Sequence, residues 1–411
     1  MGPIALFDKS FIQSLSIDES VWFDQYFMPV VCPIFYAETL ANLSKVFDNK
    51  SSDAAVGTIA SKYPDVSSKP VIHHLTLAKS NIFGYSVPID GRIPMAGGRS
   101  VREGGRNGVV YENSPEAEAF SRWQNGDFQV LERKFATEWR ASLAALDLGA
   151  ASASFKAVGL EGKKYNSFAS LKADVDSLLA SDKHKFEVMK LALNVLNIPF
   201  SLHSKLFDFW ASIGMPAISK YARYASHVLA VEIVFQLAIK SSLIASTRNS
   251  NKMDMAYLFY LPFCQVFIST DKLHKNLAPS FLRDDQMFVW GLDLKGDLSK
   301  INAFFTGFPD EIKDQGIFAF ASKPPKSFET IVSKLWDKYS PKWRNEPAVK
   351  VSNPEDEKKI VESFHSLIKS QDSGLEELSG EEVDAMIIEH LVRHKKGSWF
   401  QLPKDYKENN D

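Results

Sequence analysis

The chain opens with a four-residue apolar run, Ile4 to Phe7, that ends in an acid, Asp8, before a polar break. A short apolar run bounded in this way predicts a buried strand. Asp18 to Tyr26 predicts a helix, with Asp18 as its N-cap. Pro29 starts a second apolar run, Val30-Val31-Cys32, and Pro33 is placed as the first residue of a new helix. That helix runs to about Phe47 and carries Phe35, Leu40, Leu43 and Phe47 among its apolar residues. Strand, helix, strand and helix within fifty residues is an α/β signature.

From about Asn49 to Leu202 Gly, Ser and polar residues become frequent, and Ile93 to Gly108 reads as a Gly/Arg loop. Helical patterns cover Pro115 to Asp147, Ser167 to Val195, Phe207 to Ile213 and Ser219 to Ser246. The α/β character returns at Met253 to Asp271: a helix-like segment, a break at Pro262, then a β-rich run from Cys264 that again ends in an acid, Asp271. A Pro-rich break follows Ser322, and amphipathic helices and a charged tail come after it. The expected organisation is an α/β parallel-sheet core in two parts, 1–50 and 219–322. A mostly helical insertion at 51–218 divides it, and a helical C-terminal extension covers 323–411. There is no internal repeat and no heptad run, so the oligomeric state stays open.

The whole chain has 411 residues, 45% hydrophobic and 24% charged, as soluble globular proteins do. With 48 Lys+Arg against 50 Asp+Glu, a uniformly basic nucleic-acid coat is excluded, whereas a local basic patch is not. Only Cys32 and Cys264 are present, which excludes a disulfide scaffold or a thiolate zinc cluster. The first residues lack a basic region followed by a long apolar one, so no signal peptide is expected. The most membrane-like stretch, His227 to Ala245, carries Glu232, Gln236 and Lys240 on one helical face, which makes it an amphipathic soluble helix. A cytoplasmic protein without a membrane partner is the expectation.

Two strands that each end in an aspartate are the informative feature, because functional groups of open α/β sheets collect at the carboxyl ends of the strands. Two further acids fit the same place. Glu38 lies one to two turns into the helix after the second strand, and Asp254 opens the short helix seventeen positions before Asp271. That spacing accommodates a short helix, a turn and a strand, returning both carboxylates to one sheet edge.

These residues carry a resemblance to a known family. The apolar strand ending in Asp8 and the segment Pro33-Ile-Phe-Tyr-Ala-Glu38-Thr-Leu look like the first two acidic motifs of PIN-domain nucleases, and Asp254 to Asp271 looks like the third and fourth. The resemblance covers roughly residues 4–48 and 220–300, not the interval between them or the C-terminal tail. It implies a PIN-like core and a metal-dependent nuclease, RNA favoured over DNA, that leaves a 5′-phosphate and a 3′-hydroxyl. Converging carboxylates repel each other unless a cation neutralises them, and Mg²⁺ or Mn²⁺ prefer such oxygen ligands. Asp8 and Asp271 would bridge metal, Asp254 would complete the first shell, and Glu38 would ligate directly or through water. Thr270, with Ser10, would orient a carboxylate or a phosphate.

Each acid alone has an ordinary explanation. Asp8 or Asp254 would serve as a helix N-cap and Glu38 as a solvated surface residue; only the set of four points to a site. Asp293 and Asp297 are rivals in a Gly-containing stretch that reads as a surface loop. Arg92, Arg99, Arg102 and Arg106 of the Gly/Arg loop could hold a nucleic-acid backbone, or be a solvated loop. His73 and His74 are adjacent and would point to opposite faces, while His390 and His394 read as a solvated helix face. Most of the 30 Phe residues belong to the core, with a minority available for base stacking. Two other functions compete. One is a catalytically inactive PIN-like module that binds nucleic acid or a protein. The other is a haloacid-dehalogenase-like phosphatase built on Asp8 and Ser269, which departs from that family in having Ser10 where a second acid is wanted.

Overall fold

Ala5, Leu6 and Phe7 are wholly inaccessible to solvent, as a parallel strand covered on both faces requires. The computed structural model describes residues 2–103, 106–145, 163–345, 383, 385–388 and 392–406. Its strands are β1 (Ile4–Phe7), β2 (Met28–Val31), β3 (Lys69–Pro70), β4 (Gly98–Glu103), β5 (Arg106–Tyr111), β6 (Val266–Ser269), β7 (Met287–Trp290), β8 (Ala385–Ile388), β9 (Lys395–Lys396) and β10 (Trp399–Phe400). Five of them make one all-parallel sheet in the order β3-β2-β1-β6-β7. Leu6 stands opposite Val30 on one side and Phe267 on the other. The chain moves outward from β1 through β2 to β3 and then crosses to the far side of β1 for β6. The strand order therefore reverses between β1 and β6, which opens a crevice at their carboxyl ends.

Helices α1 (Lys9–Ser14) and α2 (Ile17–Tyr26) join β1 to β2, and α3 (Pro33–Leu40) and α4 (Ser52–Ala60) join β2 to β3. After β3 come α5 (His74–Ile82), the β4–β5 pair, α6 (Pro115–Gln124), α7 (Val130–Ala144), α8 (Phe168–Leu179), α9 (Lys185–Val195), α10 (Phe200–Ser212), α11 (Ile218–Tyr221) and α12 (Arg223–Lys240). Then α13 (Asn251–Tyr257) leads through a 3₁₀ segment, Leu258–Phe263, into β6, and α14 (Lys272–Leu277) joins β6 to β7. The last described helices are α15 (Gly291–Thr306), α16 (Asp310–Lys313), α17 (Ile317–Phe320) and α18 (Ile331–Tyr339). Aromatic edges lock α2 and α3 to the sheet: Phe7 meets Phe23 at 5.6 Å and Phe35 at 5.0 Å between ring centres. Both cysteines are buried, and burial pushes their thiols up to about 12.

Several local expectations change. Ser16, not Asp18, caps α2, because Ser16 and Glu19 form a reciprocal capping box. The helix starting at Pro33 stops at Leu40 and tightens into a 3₁₀ turn, Ala41–Ser44. Strand β3 of the main sheet comes from the stretch read as insertion. Among the described residues the Gly/Arg stretch is loop only from Ile93 to Gly97: Gly98–Glu103 pairs antiparallel with Arg106–Tyr111, β4 with β5. Asp293 and Asp297 lie in α15 and not in a surface loop, and the buried Asp297 accepts the backbone N–H of Ile331 at 2.6 Å, at the start of α18. Among the described residues no helix is long and apolar enough to cross a membrane.

Of the expected helical C-terminal extension, α18 and the 3₁₀ turn Pro341–Arg344 are helical, whereas the described residues from 385 onward form short strands and loops. Residues 346–382 lie outside those described. Beyond them β8 adds to β5 in parallel, and β9 with β10 forms a hairpin seated on the core. Trp399 packs edge-on against Trp22 at 4.8 Å, and both indole N–H groups donate to Asn302. Buried Lys396 hydrogen-bonds the Tyr63 carbonyl and pairs with buried Asp65 at 3.2 Å, as does Arg393. Nearby Asp24 accepts the backbone N–H groups of Val66 and Ser67, and its burial pushes its carboxyl up to about 6. Removing one partner from a buried charge network is costly because the other charges stay behind. Lys396→Met is therefore expected to destabilise the protein by about 2 kcal/mol, read as a lower urea midpoint at unchanged slope. An unmoved midpoint would show that the hairpin adds nothing to the core.

Candidate functional site

The backbone N–H of Asp8 continues the β1–β6 ladder to the Ile268 carbonyl at 3.3 Å, so Asp8 and the Ser269-Thr270-Asp271 turn leave neighbouring strand ends together. Asp8 caps α1: its Oδ1 accepts the Phe11 N–H at 2.9 Å. Its Oδ2 accepts the hydroxyls of Ser10 and Ser269, each at 2.7 Å, and lies 3.3 Å from His274 Nδ1. Burial would raise the Asp8 carboxyl, but the hydrogen bond and charge of His274, with the two serines, outweigh it and hold the group below the usual carboxylate range.

His274 is completely buried. Its Nε2 lies 2.6 Å from the Asp254 carbonyl oxygen, which can only accept, so this nitrogen carries a proton. Its Nδ1 lies 2.8 Å from Ser269 Oγ. A second proton there leaves the Ser269 hydroxyl available to donate to Asp8, whereas an unprotonated Nδ1 would compete for it. Burial would lower this imidazole, but the hydrogen bond and charge of Asp8, then Asp254, push it up to about 9. His274 is thus an imidazolium that joins β1, α13 and α14.

Ser10 and Thr270 complete the junction, the Thr270 hydroxyl meeting Ser10 Oγ at 2.7 Å and its N–H donating to the same oxygen at 3.2 Å. Thr270 thus bears on the Asp8 carboxylate through Ser10, whose hydroxyl donates to Asp8 Oδ2 at 2.7 Å. Glu38, on α3, is held by Lys9 Nζ at 2.9 Å and by the Tyr257 hydroxyl at 2.7 Å. Lys9, the first residue of α1, is itself buried.

Asp254 and Asp271 come closest to sharing a ligand. Arg248 places one guanidinium nitrogen 3.7 Å from Oδ2 of each. Asp271 also caps α14, its Oδ1 accepting the Leu273 N–H at 2.6 Å. Asp254 Oδ2 is buried and has no hydrogen-bond partner. Burial pushes the Asp254 carboxyl up to about 7; His274 and Arg248 oppose this, and the charges of Glu38 and Asp271 add to it.

All four acids predicted from sequence thus stand at one sheet edge, each matched to a cation of the chain. His274 faces Asp8, Lys9 faces Glu38, and Arg248 faces Asp254 and Asp271. Among the described residues no three His, Cys, Asp or Glu side chains converge closely enough to enclose a metal as they stand. Sequence reasoning missed Lys9, His274, Arg248 and Tyr257. His274 carried a legible signal, three positions after Asp271 on the short helix that Asp271 caps; Lys9 and Arg248 carried none.

Among the described residues the Gly/Arg stretch does not present Arg99 and Arg102 on one face. Exposed Arg92 forms a fork with Asp90 at 2.8 Å. Arg99 and Arg102 are an odd number of positions apart on β4 and so take opposite faces, and the Arg106 side chain lies outside the described residues. The hairpin instead borders a cavity of about 800 Å³ at the ends of β2 and β3, lined by Val31, Tyr63, His73, Met95, Tyr111 and Glu116 among others. His73 and His74 do not diverge, because α5 begins between them; their rings stack at 4.3 Å. His74 bonds the Tyr260 hydroxyl, and burial drives it down to about 3, so it is a neutral core residue. His390 lies outside the described residues, and His394 precedes β9 with its ring on the Pro403 carbonyl, not on a helix.

The imidazolium has a pH signature. His274 sits at about 9 in the fold against an ordinary 6.5, so its stabilising contribution is complete below pH 6.5 and is lost as pH rises through 9. The difference in unfolding free energy between the wild type and His274→Gln is expected to be at most about 3 kcal/mol near neutral-to-acid pH and to close in alkaline solution. Urea melts across that range measure it, and a pH-independent difference would remove the imidazolium.

Compared with protein-family models, with curated proteins and with solved structures, the chain matches none, so the reading of this site rests on its own geometry.

Proposed function

We propose that the chain is a divalent-metal-dependent nuclease with a PIN-like core, acting on RNA in preference to DNA. The observation that carries this reading is the gathering of Asp8, Glu38, Asp254 and Asp271 where the strand order reverses. Such a crevice is where open α/β sheets bind ligands. Asp254 Oδ2 is the feature best suited to a cation, being a buried carboxylate oxygen without a donor beside the Asp271 carboxylate. Hard Mg²⁺ or Mn²⁺ suits such oxygens. Asp254 and Asp271 would hold the ion directly, which revises the bridging role expected for Asp8. Asp8 and Glu38 already have protein donors and would act through water or by fixing the field of the site.

When bound, the ion would supply a water of lowered pKa and charge neutralisation at the phosphorus oxygens. The chain supplies the framework. His274 fixes Asp8 against the Asp254 backbone, the Ser10–Thr270 pair fixes the two strand ends, and Tyr257 orients Glu38. A catalytically inactive PIN-like binding module is the second reading, favoured by the matching of every acid to a cation of the chain.

Cleavage of end-labelled single-stranded RNA and DNA with Mn²⁺, Mg²⁺ or EDTA separates the two. Asp254→Asn and Asp271→Asn are each expected to lose about a hundredfold or more of a metal-dependent activity, together with any rise in melting temperature caused by metal. Cooperative melting that ignores metal, with neither strand cut, would leave the binding module.

A further inference from the structure

The three cations of the site differ in how firmly they are held. Lys9 and His274 are buried, and each makes hydrogen bonds to the backbone or to its acid. The Arg248 side chain is 59% exposed and stands 3.7 Å from Asp254 and from Asp271, beyond hydrogen-bond distance. Its only hydrogen bond among the described residues is a local one, Nε to Ser250 Oγ at 2.9 Å. It sits on the connection between α12 and α13, outside any helix or strand.

We infer that Arg248 is a tethered cation that occupies the place between Asp254 and Asp271 and that a divalent ion displaces, so that the site is loaded by exchange. The inference rests on the metal-dependent reading above. Two positive charges cannot share that place, and a loosely paired, exposed guanidinium loses little by turning into water. Without it the buried, donorless oxygen of Asp254 would face the Asp271 carboxylate unscreened. The displaced guanidinium stays at the mouth of the site, where its fork suits a phosphate. A polyanion that draws Arg248 outward therefore tightens metal binding, and metal tightens polyanion binding by the same factor.

The test is a Mn²⁺ titration of the full chain after removal of metal by EDTA and dialysis, following the free-ion signal by electron paramagnetic resonance. The proteins are the wild type, Arg248→Ala and Arg248→Lys. Arg248 is exposed, so neither variant threatens the fold. Removing the competing charge is expected to tighten Mn²⁺ binding about tenfold in Arg248→Ala, while Arg248→Lys stays near the wild type. Equal or weaker binding by Arg248→Ala, or equal tightening by Arg248→Lys, overturns the exchange and leaves the metal reading standing. No uptake of Mn²⁺ by either the wild type or Arg248→Ala overturns the metal reading, and the exchange with it.

Discussion

Carboxylates placed together at the edge of a sheet repel one another, and the surrounding structure is arranged around that repulsion. Asp8 is nearly inaccessible and Asp254 mostly so, so water does little to screen them. The cations that neutralise them come from separate parts of the chain: α1 for Lys9, the connection before α13 for Arg248, and α14 for His274. Lys9 and His274 are thereby also ties between elements. His274 has the widest reach, because one ring touches Asp8 after β1, Ser269 at the end of β6 and the backbone of α13. Loss of its charge would loosen three elements together, which makes electrostatic balance and packing inseparable here.

The core was legible because its signals are local. A short apolar run ending in an acid appears twice, and the two runs are neighbouring parallel strands of one sheet. Pro33 opens α3 as its position predicts, and Glu38 falls on that helix. What failed to show in the sequence depends on tertiary pairing. β3 is two residues long, too short for any periodicity, and exists only because β2 offers it a partner. The Gly/Arg stretch reads as a loop since glycines weaken strand propensity, yet Arg99 to Arg106 pairs across a hairpin. Asp297 reads as a loop residue from the glycine beside it, and its capping of α18 depends on a helix more than thirty residues away.

The site was half legible for the same reason. Acids at strand ends announce themselves by position, whereas cations that neutralise them have no fixed spacing. Lys9 next to Asp8 has the neutral look of any surface lysine until α3 brings Glu38 to it. Arg248 sits in a polar stretch, Ser246 to Asn251, that offers no period at all. Only the return of α13 to the sheet edge gives that arginine its two carboxylates.

The long insertion then acquires a physical connection to the site. Helix α12 is buried along most of its length and packs on α5 and α8, which fixes where the chain emerges after Lys240. The emerging segment is tied down on both sides of Arg248: Ile244 is buried, the Asn249 side chain donates to the Leu143 carbonyl near the end of α7, and Asn251 donates to the Ala245 carbonyl. Arg248 ends an exposed stretch, Ala245 to Arg248, that is held at both ends. Its reach is therefore set by α7 of the insertion together with α12, while its two partners stand at the sheet edge. A shift of α7 changes how well the arginine meets Asp254 and Asp271, whereas a shift of α12, which also packs on α13, would carry Asp254 with it. A core lacking α7 would keep its carboxylates and lose one of the ties that hold that cation over them.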